Sequence, residues 1–158
     1  MLDSAAIAII YLTTATGFVW AGVVIWLLIG LFRLKPYGGN NHPVVSVLIA
    51  ARNEAGVIGK CMQTLVKQDY PPELWDVIVV NDNSTDSTGS EVRSFSEEIH
   101  ELKLLSIDTP PLGTAPKKHA LSQGIKTARG EIILTTDADC LPQPGWISSM
   151  ANQFEAGI

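Results

Sequence analysis

Residues 44–65 read VVSVLIAARNEAGVIGKCMQTL, and this stretch decides the fold. Val44 to Ala50 is a short apolar run of the kind that forms a strand, interrupted only by Ser46. Polar residues Arg52, Asn53 and Glu54 follow at its exit. From Ala55 to Gln68 the apolar residues Val57, Ile58, Cys61, Met62 and Leu65 then recur at helical spacing. A strand that passes through a polar loop into an amphipathic helix is the first half of a β-α-β unit.

The same alternation continues downstream. Trp75–Val80 is a second apolar run. Ser84 or Thr85 can cap a helix running to about Phe95. Leu102–Ile107 reads as a third strand. Lys117–Thr127 reads as a helix with Ala120, Leu121 and Ile125 on one face and Gly130 just past its end. Glu131–Thr135 is a fourth strand. Pro144 opens a last helix with Trp146, Ile147, Met150 and Phe154 at helical spacing. The expected fold is α/β, with a mostly parallel sheet, helices on both faces and right-handed crossovers. Ligands in such sheets bind beyond the carboxyl ends of the strands. That singles out four loops, at 51–54, 81–84, 108–116 and 136–140.

Upstream of this unit the chain changes character. Asp3 and Arg33 bracket 29 uncharged residues, Ser4 to Phe32. A helix needs roughly 20 such residues to cross a hydrocarbon core of about 30 Å. A cleaved signal peptide would carry a basic start and a shorter apolar core; here the basic residues follow the span. The expectation is one transmembrane helix at 4–32. Arg33 and Lys35 then place residues 33–158 on the cytoplasmic side of the cell (inner) membrane. Residues 33–43, with Pro, Gly-Gly and Asn-Asn, read as a linker, and 44–158 as the soluble domain.

Charge and cysteine content exclude several classes. All 11 Lys and Arg, but also 15 of the 16 acidic residues, follow the span. The longest basic run is Lys117-Lys118, so nucleic acid is not an expected partner. Two cysteines, Cys61 and Cys140, are too few for a disulfide scaffold and are expected as free thiols.

The four loops carry the candidate chemistry. Arg52, Asn53 and Glu54 offer hydrogen-bonding side chains, although such residues also simply begin helices. In NDNSTDST, residues 81–88, Ser84, Thr85 and Asp86 suit a turn and a helix start. Asp82 lies at the strand end, where a base or ribose could bond to it. A calcium loop would need Gly where Ser87 stands and a bidentate Glu where Arg93 stands. Lys117 and Lys118 sit at a helix start, where the dipole disfavours cations, which hints at an anionic partner. In ILTTDADC, residues 133–140, Asp137 and Asp139 can converge on Mg²⁺ or Mn²⁺ and a diphosphate. An Asp-x-Asp pair is also frequent in solvated loops; its place on the ligand edge of the sheet is what raises it.

Together VSVLIAARNE (45–54), VIVVNDNSTD (77–86) and KKHALSQGIKTARGEIILTTDAD (117–139), behind an anchoring helix, resemble the family 2 inverting glycosyltransferases of GT-A fold. The resemblance covers residues 44–158. It implies a nucleotide-diphosphate-sugar donor, a divalent metal, and a lipid or glycan acceptor at the membrane. It carries base and ribose contacts onto Ala50, Arg52, Asn53, Glu54 and Asp82. It further assigns a base or diphosphate contact to Lys117, the ribose to Asp137 and the cation to Asp139. Asn81 stands where an aspartate is common, and Ser122 where an asparagine is common. The family's general base and its acceptor segment lie well downstream of Asp-x-Asp. This chain runs 19 residues past Asp139 with Glu155 its one further carboxylate. The expectation is therefore a donor-binding half without its catalytic base. Two alternatives stand beside it. One is a nucleotidyltransferase, which should show a Gly-rich phosphate loop after the first strand. The other is a non-catalytic nucleotide-binding membrane module.

Overall fold

The computed structural model describes residues 3–33, 42–107 and 113–154. Most of the expected linker, part of the third loop, and Glu155 lie outside the described residues. The chain divides into two units, 1–37 and 38–158.

The first unit is a single helix, α1, Ser4–Arg33. At 30 residues and a mean hydropathy of 2.1 it is long and apolar enough to cross a membrane. It begins on Asp3, whose carboxylate accepts the Ala6 N–H at 2.7 Å. Thr13, Thr14 and Thr16 do not break it, because each hydroxyl donates to carbonyls three and four residues back.

The second unit is an α/β sandwich. Its elements are β1 (Val45–Ala51), α2 (Ile58–Val66), β2 (Trp75–Asp82), α3 (Thr88–Arg93), β3 (Leu102–Ile107), α4 (Pro116–Thr127), β4 (Ile132–Asp137) and α5 (Trp146–Ala151). The four strands form one sheet in the order β3-β2-β1-β4, and every pairing is parallel. Parallel strands buried on both faces read as continuous apolar runs, and Val45, Val47, Leu48 and Ile49 are all fully buried. Odd-numbered residues of β1 and β2 face a core built with α2, α3 and α5. Leu48, Ile78 and Val80 face the other way, against Ala120 and Leu121 of α4.

The order reverses at β1. From β1 the chain steps to β2 and β3 on one side, and α4 carries it back to β4 on the other. A crevice therefore opens at the carboxyl ends of β1 and β4, the switch point at which such sheets bind ligands.

Three helix boundaries differ from the sequence reading. Helix α3 starts at Thr88, after Ser87, and stops at Arg93 rather than near Phe95. Ser84 and Thr85 do not cap it; they bond to the neighbouring loop. Helix α5 starts at Trp146 and ends before Phe154, and α2 is shorter than Ala55–Gln68. Six-residue helices show too few turns for periodicity to fix their ends.

Two glycines set the approach of α4 and β4. A Cβ on Gly124 would collide with Leu48 and come within 2.9 Å of Val80 Cγ2. One on Gly130 would collide with the Ser46 backbone nitrogen. Gly124→Ala should lower stability by about 1–3 kcal/mol, the usual range for an overfilled core. Chemical denaturation measures it, and an unchanged midpoint would contradict the close α4–sheet contact.

Candidate active site

The site begins with two loops tied to each other. Asn53 and Asn83 adopt φ of 55° and 53°. This is left-handed backbone that asparagine tolerates better than most residues. In that conformation the N–H groups of residues 53 to 56 point at the second loop. Asn53 N–H donates to Ser84 Oγ (3.0 Å) and Glu54 N–H to Thr88 Oγ1 (2.8 Å). Ala55 N–H donates to Asp86 Oδ2 (3.0 Å) and Gly56 N–H to Glu91 Oε2 (3.0 Å). In return Thr85 N–H donates to Asn53 Oδ1 at 2.8 Å. The Thr88 hydroxyl and amide hold the Asp86 carboxyl below its usual value of 3.8. That contribution is therefore full above pH 3.8 and is lost only as pH falls through the lower, folded-state value.

These ties fix the strand ends that line a cleft of about 310 Å³. Ala50, Arg52 and Glu54 come from the end of β1 and Asp82 from the end of β2. Lys117 comes from the start of α4, and Asp137 and Asp139 from the end of β4. The structure thus brings together seven of the eight residues singled out in the sequence. The eighth, Asn53, is not part of this lining. Its side-chain oxygen holds Thr85, which makes it an organiser of the loop.

Three features of the cleft are electrostatic. Asp82 is 4% exposed. Its Oδ2 lies 3.7 Å from Arg52 Nη1, while its Oδ1 is buried with no hydrogen-bond partner among the described residues. A buried carboxylate oxygen without a donor is costly, so this geometry suits a ligand that brings an N–H or O–H. Across the cleft Lys117 Nζ donates to Asp137 Oδ1 at 2.7 Å, and this bond raises the lysine's pKa. The anion opposite the lysine pair is thus partly the chain's own carboxylate. Asp139 is exposed, and among the described residues its Oδ1 accepts only a weak contact from the Cys140 thiol at 3.8 Å.

Among the described residues no three His, Cys, Asp or Glu side chains converge as a metal cage. Mg²⁺ and Mn²⁺ do not require one. They are held by one or two carboxylates, waters and substrate phosphates. The hard oxygens of Asp139 and Asp137 beside an open cleft fit such an ion. The two thiols are free; Cys61 is buried, and burial pushes it to about 11.

The sequence reading missed a polar group at the opposite end of the sheet. Asp76, fully buried, accepts from Ser46 Oγ (2.5 Å) and Lys103 Nζ (3.0 Å), and Ser46 Oγ accepts from Gly130 N–H (2.9 Å). The signal was present, since an aspartate inside WDVIVV needs a buried partner.

A parallel sheet with a switch-point cleft of this kind defines a doubly wound α/β domain. The chain belongs to glycosyl transferase family 2, whose model matches residues 46–157. It is 42% identical over 101 residues to the Probable glycosyltransferase YdaM of Bacillus subtilis, covering 64% of this chain and 24% of that protein. It is 38% identical over 97 residues to a beta-monoglucosyldiacylglycerol synthase of a Nostoc species, covering 61% of this chain and 20% of that protein. Among solved structures it resembles the mannosyltransferase PcManGT of Pyrobaculum calidifontis, in complex with GDP-Man and Mn²⁺. The TM-score is 0.65 at 33% identity, over 92% of this chain and 42% of that one. The chain thus spans about a quarter or less of the length of these two curated relatives.

Proposed function

We propose that this chain forms the donor side of a membrane-anchored glycosyltransferase. The full reaction transfers a sugar from a nucleotide-diphosphate-sugar to a lipid or polysaccharide hydroxyl at the cytoplasmic membrane face. The observation that carries the reading is that Asp82, a buried carboxylate with one oxygen unpartnered among the described residues, lines one switch-point cleft together with Asp137 and Asp139. Asp82 accepts from the base or ribose, and Arg52 holds the carboxylate in place. Lys117 turns from Asp137 to the diphosphate, freeing Asp137 for the ribose. Asp139 holds Mg²⁺ or Mn²⁺. The bound ion would neutralise charge on the departing diphosphate.

Transfer proceeds by one displacement with inversion. The acceptor oxygen forms its bond to the anomeric carbon as the bond to the diphosphate oxygen breaks. The acceptor proton passes to a base outside the donor cleft. A relative named for a glucosyldiacylglycerol supports a lipid acceptor, and α1 supports work at a membrane surface.

A nucleotidyltransferase is the weaker reading. Its phosphate loop would need free backbone N–H groups after β1. Those of residues 53 to 56 are all engaged by side chains of residues 84 to 91.

The test is Asp82→Asn, titrated with UDP and GDP in the presence of Mn²⁺. Loss of a charged acceptor is worth about 1.5–3 kcal/mol, so affinity should fall roughly 10- to 100-fold. Unchanged affinity would contradict the reading.

A further inference from the structure

A second cavity, of about 360 Å³, adjoins the donor cleft. The two share Ala50, Lys117 and Asp137, so the Lys117–Asp137 ion pair forms part of both walls. The residues lining the second cavity include an aromatic one, Trp146, and a hydroxyl-bearing one at the end of β4, Thr136. That combination suits a pyranose, whose C–H face packs on an aromatic ring while its hydroxyls need polar partners.

Trp146 is also held in place. The Gln68 side chain donates to the Gln143 carbonyl (2.8 Å) and accepts from Ile147 N–H (3.1 Å). Asp69 N–H donates to the Pro144 carbonyl at 3.0 Å, and Trp146 N–H to the Gln143 carbonyl at 2.9 Å. The loop before α5 is thus clamped to the end of α2, and half-buried Trp146 packs against the core. A residue carried on a loop held in this way needs little rearrangement when a ligand lies on it.

We propose that this second cavity is the glycosyl subsite, with Trp146 as the platform for the donor's sugar ring and Thr136 as a hydroxyl partner. The inference rests on the nucleotide-sugar reading above. A diphosphate placed at the shared wall puts the nucleoside in the first cavity and the sugar in the second. When Lys117 turns to the phosphates, the partition between the cavities opens.

The experiment is calorimetric titration of the full chain in detergent with Mn²⁺. The probes are UDP, GDP, UDP-glucose, UDP-N-acetylglucosamine and GDP-mannose. Trp146→Leu should weaken the best-bound nucleotide-sugar about tenfold and leave its nucleoside diphosphate unchanged. Thr136→Val, which keeps the side-chain volume and removes only the hydroxyl, should weaken the same nucleotide-sugar about threefold with no effect on the diphosphate. Variants that weaken both ligands alike, or neither, overturn the subsite. So does a wild type that binds a nucleoside diphosphate but none of the three nucleotide-sugars. A wild type that binds no nucleoside diphosphate overturns the nucleotide reading itself, and the subsite with it.

Discussion

Asp76→Ala should lower the unfolding free energy of the α/β unit by about 3 kcal/mol, a large part of a typical domain's stability of about 5–15 kcal/mol. Asp76 is fully buried and joins three strands through Ser46 of β1 and Lys103 of β3. Through the Ser46 hydroxyl it also fixes Gly130 at the entry to β4. Alanine removes the acceptor and leaves the Lys103 ammonium without its counter-charge. The Lys103 side chain is 36% exposed, so it can partly turn to water; the cost therefore sits at the low end for a broken buried pair. Asp76→Asn keeps an acceptor for Ser46 and should cost less. Hydrogen exchange of the slowest β1 and β2 amides reads the global value. Equal protection in wild type and Asp76→Ala would contradict this account of the sheet's far end.

Much of the architecture was legible because buried parallel strands leave unbroken apolar runs. VVSVLIA, WDVIVV, LKLLSI and EIILT each coincide with an observed strand to within two residues. The alternation with helices gave the parallel sheet, and the strand ends gave the cleft. Non-local pairing was not legible. Ser84 and Thr85 have the composition of a helix cap, yet they bond to Asn53, more than 30 residues away in sequence. The bond from Thr85 N–H to the Asn53 side chain is equally beyond any local pattern. Asp76 finds its partners 30 residues upstream and 27 downstream, separations that no local pattern encodes. Trp146 read as one apolar residue of a helix, because its place beside the cleft depends on the Gln68 clamp.

The second large effect is expected at the Asp-x-Asp pair. Asp137 is engaged by Lys117 at 2.7 Å, whereas Asp139 is exposed and, among the described residues, meets only the Cys140 thiol at 3.8 Å. On the proposed reading Asp139 is the carboxylate that takes the cation, and Asp137 would become available as Lys117 turns to a phosphate. Replacing Asp139 by alanine should abolish the contribution of Mn²⁺ to nucleotide binding. Asp139→Glu, which keeps the charge but displaces it by one methylene, should retain part. Neither change touches the buried core, since the residue is solvent-facing, and both variants should fold as the wild type does.

Titration of the full chain with UDP and GDP, with and without Mn²⁺, in wild type and Asp139→Ala, tests the donor site most directly. The account predicts that Mn²⁺ tightens wild-type binding of at least one nucleotide by about tenfold or more, a coupling of about 1.4 kcal/mol. In Asp139→Ala that increment disappears. Wild-type binding indifferent to Mn²⁺, or an increment that survives in Asp139→Ala, would contradict it.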